Sequence, residues 1–194
     1  MKNPAASIIM KNGAKIVLEL LPENAPNTVK SFLYGVRHHV YDHHEIERIV
    51  PGSWIDLSYS AFHCEAAKYL IPPEQKVSPQ AHLLPVTEGT VAMGGYGELG
   101  LAGCEIFFPL RDCPELTGTY PVFGIVREGL EELHRLEKEE TLPVTDYPYP
   151  DVIINRPVRP QIIDHVELEL FGAEYADPER VDHHELPLCW KELC

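Results

Sequence analysis

The sequence predicts a mainly β domain, in which short antiparallel strands form a closed barrel and two helices pack against it. Most apolar segments are short and lie between Gly, Pro or Asn residues, as is typical of strands joined by turns. Only two segments carry apolar residues at helical spacing. With 194 residues, of which 44% are hydrophobic, the chain can bury a core of its own. Many short strands with two helices favour an antiparallel barrel.

The N-terminal segment predicts a β-hairpin. Residues 5–10 and 14–20 are two apolar runs of strand length. Between them lies Lys11-Asn12-Gly13, and an Asn-Gly pair between two such runs is a strong hairpin signal. We therefore expect these two strands to pair with each other.

A helix is predicted next. Pro22 ends the second strand, and Asn24 or Asn27 can cap a helix that runs to Arg37. Four apolar residues recur at helical spacing on one face of this segment: Val29, Phe32, Leu33 and Val36. This face is expected to pack on the sheet.

The middle of the chain predicts two strands and then an irregular insertion. Residues 46–57 form strands on either side of a turn at Pro51-Gly52. Residues 58–86 contain four prolines and show no clear period, with a short helix expected near 66–70.

The second half predicts four strands and a short helix. The strands are residues 89–93, 105–110, 121–127 and 161–171, and a Gly-rich loop joins the first two. Residues 130–136 form the helix, with three leucines on one side. Five prolines make residues 140–160 a predicted loop. The domain is thus expected to cover residues 1–171, with 172–194 as an acidic, turn-rich C-terminal extension.

Residues 41–55 carry the most specific motif: Tyr41-Asp-His-His-Glu-Ile-Glu-Arg-Ile-Val-Pro-Gly-Ser-Trp-Ile55. This stretch resembles the signature strand of the cyclophilin-type peptidyl-prolyl isomerases, whose usual form is Phe-His-Arg-Val-Ile-Pro-Gly-Phe-Met-Ile-Gln-Gly-Gly-Asp. The two align without gaps, and residues 48–52 fit. Further anchors follow in the family's order: Ala25 to Phe32, Gly89 to Met93, Glu105 to Phe108, and Val122 to Gly124. The resemblance covers residues 5–171 and implies a cyclophilin-like closed barrel.

The resemblance also implies that the chain isomerises Xaa-Pro bonds. Amide resonance gives this rotation a barrier of roughly 18–20 kcal/mol. A fixed hydrogen-bond donor near the prolyl nitrogen weakens the resonance, and an apolar pocket holds the proline ring. The matching donor is Arg48, whose guanidinium is always charged and rigid. The alternative is a structural arginine that pairs with Glu45, Glu47 or Asp56.

The resemblance further assigns residues to the proline pocket and its polar rim. The pocket positions are Ser53, Trp54, Phe107 and Leu116. At the rim, Asp56 and Glu105 replace two glutamines, Gly95 replaces an asparagine, Tyr120 replaces a histidine, and Glu115 replaces a tryptophan that binds cyclosporin in many members. Ser53 removes an aromatic wall, and either new carboxylate could pair with Arg48 and compete with a substrate. Catalysis is therefore expected to be slower than in an ordinary member.

Three classes of function remain open from the sequence. The leading one is a peptidyl-prolyl cis-trans isomerase that acts on a proline-containing peptide or protein and needs no cofactor. The second is a peptide-binding module that has the same barrel but has lost catalysis. The third is a metal-binding surface, because Asp-His-His-Glu occurs at 42–45 and again at 182–185, with Cys189 and Cys194 nearby. A solvated acidic surface explains the same residues.

Composition limits the partners. The net charge of −14 argues against nucleic acid and anionic membranes, which would repel the chain. No apolar run reaches the roughly 20 residues that span a bilayer. The first four residues lack the apolar core of a signal peptide. Five unevenly spaced cysteines suit reduced thiols, so a cytoplasmic location is expected. The sequence does not predict an oligomeric state.

Overall fold

The computed structural model describes residues 2–57, 64–81, 83–145, 152 and 154–182. Cys189, Cys194 and all but the first residue of the second Asp-His-His-Glu repeat lie outside the described residues.

The fold is mainly β, with three helices. The strands are β1 (Ala5–Met10), β2 (Lys15–Leu20), β3 (Arg48–Val50), β4 (Trp54–Asp56), β5 (Leu70–Ile71), β6 (Thr90–Gly95), β7 (Leu101–Pro109), β8 (Val122–Glu128), β9 (Thr141–Pro143), β10 (Asn155–Pro157) and β11 (Ile163–Glu169). The helices are α1 (Pro26–Arg37), α2 (Glu74–Val77) and α3 (Leu130–Glu137). The sequence predicted α1 and α3. The short helix expected near residues 66–70 is a 3-10 turn at Glu65–Ala67 followed by β5, and α2 was missed because it is a single turn within a proline-rich segment.

One antiparallel sheet holds most of these strands, in the order β11-β1-β2-β8-β6-β7-β4-β3, with β5 also pairing with β7. The predicted closed barrel is wrong, because the sheet is an open half-barrel whose end strands β3 and β11 do not form a ladder. Within the described residues, one isolated bridge between Glu45 and Ile162 joins the segments that precede them.

The hairpin prediction is confirmed. β1 pairs with β2, and the carboxamide Oδ1 of Asn12 accepts a hydrogen bond from the Ala14 N–H at 2.8 Å. Gly13 has a φ of +88°, a conformation that glycine adopts without strain. The apolar face of α1 packs into the main core, where Phe32 contacts Phe123 with ring centroids 5.3 Å apart.

The predicted cap of α1 is wrong. The residue before the helix is Ala25, which has no side-chain cap, and Asn27 lies inside the first turn. The buried carboxylate of Glu74 replaces the cap. It accepts hydrogen bonds from the N–H groups of Asn27 and Thr28 at 3.0 and 2.9 Å, and from Thr28 Oγ1 at 2.6 Å. The irregular insertion thus completes the first helix.

Two predicted loops contain strands. Residues 140–160 include β9 and β10, which pair as a separate two-stranded sheet. β7 begins at Leu101, earlier than expected, because Gly95 pairs with Leu101 and the Gly-rich loop shortens to a tight turn. The first residues of β7 were predicted as loop because they are small and lie in a glycine-rich segment.

The described part of the C-terminal extension packs on α1 and β5. Arg37 donates to the Tyr175 carbonyl oxygen at 3.0 Å, and the Val181 N–H donates to the Leu70 carbonyl at 2.9 Å. The guanidinium carbon of Arg180 lies 4.6 Å from the ring centroid of Tyr34 and 4.1 Å from that of Tyr69. Residues 173–182 are therefore bound along their length to the domain.

Candidate active site

Strand alternation separates the core from the site. On β3, β4 and β7, the residues of one face enter the main core: Ile49, Ile55, Ile106 and Phe108. The residues that alternate with them are Arg48, Trp54, Asp56, Glu105 and Phe107. Because successive side chains of a strand point to opposite sides, these five share the outer face. The pairings of Arg48 with Asp56 and of Asp56 with Phe107 place them side by side across three strands.

An apolar cluster lies on this outer face, separate from the main core. It is centred on Phe107, whose ring centroid lies 6.5 Å from that of Trp54 and 5.7 Å from that of Tyr120, both edge to face. Leu116 packs against the same cluster. Four residues predicted to form the proline pocket and its rim are thus brought together from three separate parts of the chain.

Ser53 contributes differently. It lies half-buried in the turn before β4, and its carbonyl accepts a hydrogen bond from the Leu110 N–H at 2.8 Å. This contact fixes the turn beside the cluster. Its small side chain gives the cluster no aromatic face.

Arg48 is paired with Asp56. The guanidinium Nη1 donates to Asp56 Oδ2 at 2.5 Å, and its central carbon lies 5.7 Å from the ring centroid of Trp54. The other two acidic candidates, Glu45 and Glu47, instead form ion pairs with Arg156 at 3.4 and 2.9 Å. The site arginine is therefore held against the aromatic cluster by a carboxylate from the neighbouring strand.

Glu105 is a second buried carboxyl group in the site, only 6% exposed. Burial, together with the repulsion of nearby Asp56, raises its pKa to about 8, although Arg48 acts in the opposite direction. Burial also raises the pKa of Asp56, more than Arg48 lowers it. Two carboxyl groups thus share one guanidinium, and Glu105 holds a proton at neutral pH.

Tyr96 and Gly94 position Glu105. The Tyr96 hydroxyl donates to Glu105 Oε2 at 3.4 Å. Gly94 lies under the carboxyl group, since a Cβ atom there would be 2.7 Å from Glu105 Oε1. The sequence analysis missed both residues. No local signal marks Tyr96, because only the strand pairing brings it to Glu105.

Gly95 and Tyr120 complete the predicted rim. A Cβ atom at Gly95 would lie 3.0 Å from Leu101 Cδ2 and 3.1 Å from the Gly100 carbonyl, so a larger residue would displace the turn. Burial and the nearby Glu105 raise the pKa of Tyr120, which keeps its hydroxyl neutral.

The irregular insertion also borders the cluster. Val86 belongs to it, and Leu84 packs on its side. The Val86 carbonyl accepts a hydrogen bond from the Cys113 N–H at 2.8 Å, while its N–H donates to Thr117 Oγ1 at 3.0 Å. Leu84 and Val86 were missed because the insertion has no regular period, although an apolar run before a strand was a visible signal.

The remaining predictions concern a metal site, the cysteines and membrane spans. No group of three His, Cys, Asp or Glu residues among those described is arranged to hold a metal ion. In the first Asp-His-His-Glu repeat, His43 Nδ1 lies 3.7 Å from Asp164 Oδ1, while His44 is buried. Cys64, Cys104 and Cys113 form no disulfide bond within the described residues. The described helices include none with the length and apolar character needed to cross a bilayer.

Solved structures share this fold. A cyclophilin type peptidyl-prolyl cis-trans isomerase of Cryptosporidium parvum aligns with a TM-score of 0.65 at 19% identity, covering 86% of this chain and 98% of that one. The same Cryptosporidium protein, solved in the presence of the dipeptide Ala-Pro, aligns with a TM-score of 0.64 at 20% identity. At this identity, these likenesses show the fold alone.

Sequence comparisons are more specific. Peptidyl-prolyl cis-trans isomerase B of Bacillus subtilis (strain 168) is 30% identical over 129 residues, covering 63% of this chain and 83% of that protein. The mouse peptidylprolyl isomerase domain and WD repeat-containing protein 1 is 27% identical over 155 residues, but the chain spans only 24% of its length. The family profile described as "Cyclophilin type peptidyl-prolyl cis-trans isomerase/CLD" matches residues 6–158. Since that match covers most of the sequence, the chain belongs to the cyclophilin-type peptidyl-prolyl cis-trans isomerase family.

Proposed function

We propose that the chain catalyses cis-trans isomerisation of Xaa-Pro bonds in peptides or proteins. The observation that carries the proposal is the position of Arg48 beside the apolar cluster on the outer face of the sheet. Family membership, and the structure of the Cryptosporidium relative solved in the presence of the dipeptide Ala-Pro, support the same substrate class.

The chemistry needs no covalent step and no cofactor. The proline ring packs against Phe107, Leu116 and Trp54, which removes apolar surface from water. The guanidinium of Arg48 donates toward the prolyl nitrogen and favours its pyramidal form, in which amide resonance is weakened. The segment before the proline then rotates while the ring stays bound. Asp56 orients the guanidinium but also occupies one of its donors, so we expect a slow enzyme.

The test is a proline isomerisation assay on the purified chain and on Arg48→Ala. Loss of a preorganised donor should lower kcat/KM by about 100-fold. Arg156→Ala is the matched control, because that arginine pairs with Glu45 and Glu47 away from the cluster, and its rate should match the original chain. Background rates in the original chain would refute the enzyme, and unchanged catalysis in Arg48→Ala would refute the role of Arg48.

A second candidate is a proline-peptide binding module without catalysis. The ion pair between Arg48 and Asp56 favours it, because Asp56 is 2% exposed and competes with a substrate for the guanidinium. Titration of a proline peptide followed by NMR separates the two. Saturable shifts at Phe107 and Trp54 without exchange between cis and trans peptide signals would favour the binding module.

We also propose the wider setting of this activity. Residues 1–171 serve as the catalytic domain, and 172–194 as an accessory extension, of which the described part, residues 172–182, contacts the domain. A role in protein folding in the cytoplasm is consistent with Cys64, Cys104 and Cys113, which form no disulfide bond within the described residues. The charge of −14 supports protein substrates over nucleic acid or anionic membranes.

A further inference from the structure

Among the residues that the structure describes, the site has one positive charge fewer than its buried carboxyl groups require. Asp56 and Glu105 are 2% and 6% exposed, and Arg48 is the cation between them. The titratable and charged groups around Glu105 are Arg48 on β3, Asp56 on β4, Tyr96 after β6, Cys104 on β7 and Tyr120 before β8. The tyrosines and the thiol are neutral at pH 7, so none of them supplies the missing charge.

Nearby cations do not supply it either. The pocket loop is the loop after β7 that carries Leu116. In this loop, Arg111 forms an ion pair with Glu115 at 2.8 Å. Within the described residues, the only hydrogen bond to the Glu105 carboxyl is the long one from Tyr96 to Oε2. Oε1 accepts no hydrogen bond from those residues, and the backbone of Gly94 lies against it, since a Cβ atom at Gly94 would be 2.7 Å away. The carboxyl group lies on the outer face of the sheet, two residues from Phe107 of the apolar cluster.

We propose that the site prefers substrates with a lysine or arginine within two residues of the proline, whose cation pairs with the carboxyl group of Glu105. This inference rests on the proposed function, because it places the proline at Phe107. Glu105 and Phe107 are two residues apart on one face of β7, about 7 Å from each other. A lysine or arginine side chain spans that distance.

The proton balance is simple. In the resting site, Glu105 is a neutral acid, because its pKa is about 8. When a substrate ammonium or guanidinium binds, the carboxyl proton passes to the buffer and the carboxylate pairs with the cation. Each binding event releases close to one proton at pH 7, and no covalent bond of the substrate changes.

The peptide experiment uses a series of proline peptides. Each carries one lysine, at the first or second position before or after the proline, and is compared with the same peptide carrying acetyl-lysine. Acetylation keeps the length of the side chain but removes its charge. At pH 8 the best lysine peptide should have about tenfold higher kcat/KM and affinity than its acetylated partner. The affinity of the lysine peptide should rise about tenfold per pH unit between pH 6 and 7 and level off near pH 8. As the pH rises, a larger fraction of Glu105 has already lost its proton before the peptide binds. Calorimetry in two buffers of different ionisation enthalpy measures the released proton.

Variants locate the effect. Glu105→Gln should abolish both the lysine preference and the proton release, whereas Asp112→Asn should keep them, since Asp112 is an exposed carboxylate on the pocket loop. Equal use of both peptides, or a lysine preference that survives in Glu105→Gln, would overturn the inference while leaving the isomerase intact. If no peptide is isomerised, the proposed function fails, and the binding titrations still decide the preference.

Discussion

The buried carboxylate of Glu74 is the sharpest test of how the insertion supports the fold. Substitution of Glu74 by alanine removes three hydrogen bonds from the first turn of α1. The N–H groups of Asn27 and Thr28 then remain buried without a partner, and each such loss costs about 1–3 kcal/mol. The loss of a negative charge at a helix N-terminus adds up to ~2 kcal/mol.

We therefore expect Glu74→Ala to lower the free energy of unfolding by roughly 3–5 kcal/mol, a large part of the 5–15 kcal/mol typical of a domain. Urea denaturation followed by circular dichroism measures it. Glu74→Gln keeps one acceptor oxygen and should lose less.

Glu65→Ala is the matched control. Glu65 lies in the same insertion and its side chain is 85% exposed in a pair with Lys68, which contributes at most about 1 kcal/mol. Equal, small losses in Glu65→Ala and Glu74→Ala would refute the conclusion that Glu74 caps α1.

Three further predictions follow from the site and the extension. The pKa of Glu105 in the folded chain lies above its ordinary value of 4.5. This shift does not change the free energy of unfolding below pH 4.5, and it lowers that free energy increasingly as the pH rises to about 8. Glu105→Gln should therefore raise the melting temperature more at pH 8 than at pH 5, and an equal change at both pH values would contradict this. Truncation after Gly172 should lower the melting temperature but keep one cooperative transition; a chain that cannot fold, or one of unchanged stability, would refute the packing role of the extension. Cyclosporin should give little heat in calorimetry at micromolar concentration because Glu115 and Ser53 replace aromatic contacts, and nanomolar binding would show that the alignment of residues 111–120 is wrong.

Elements set by local sequence were predictable. The hairpin depends on Asn12-Gly13, and α1 depends on apolar residues three and four apart, so both could be identified from a few neighbouring residues. The outer face of the site was predictable for a related reason, because strand alternation assigns Arg48 and Phe107 to one side once the strands are known.

Features that depend on distant residues were not predictable. The cap of α1 comes from Glu74, 46 or more residues along the chain. The hydroxyl of Tyr69 lies 2.8 Å from Ser31 Oγ, and its ring packs over Gly103, where a Cβ atom would be only 2.2 Å away. The proton on Glu105 likewise arises from burial and from its distance to Asp56, neither of which a single sequence contains.

The backbone at Gly94 sets the rotamer of Glu105. A methyl group at this position would lie 2.7 Å from one carboxyl oxygen and 2.9 Å from the carboxyl carbon, so Gly94→Ala would force the acid to turn away. Positions 94 and 105 should therefore be energetically coupled: in a double-mutant cycle, the cost of the added methyl should fall sharply once residue 105 is shortened to alanine. One carbon atom added to the neighbouring strand would thus turn the carboxyl group away without any substitution of the acid itself.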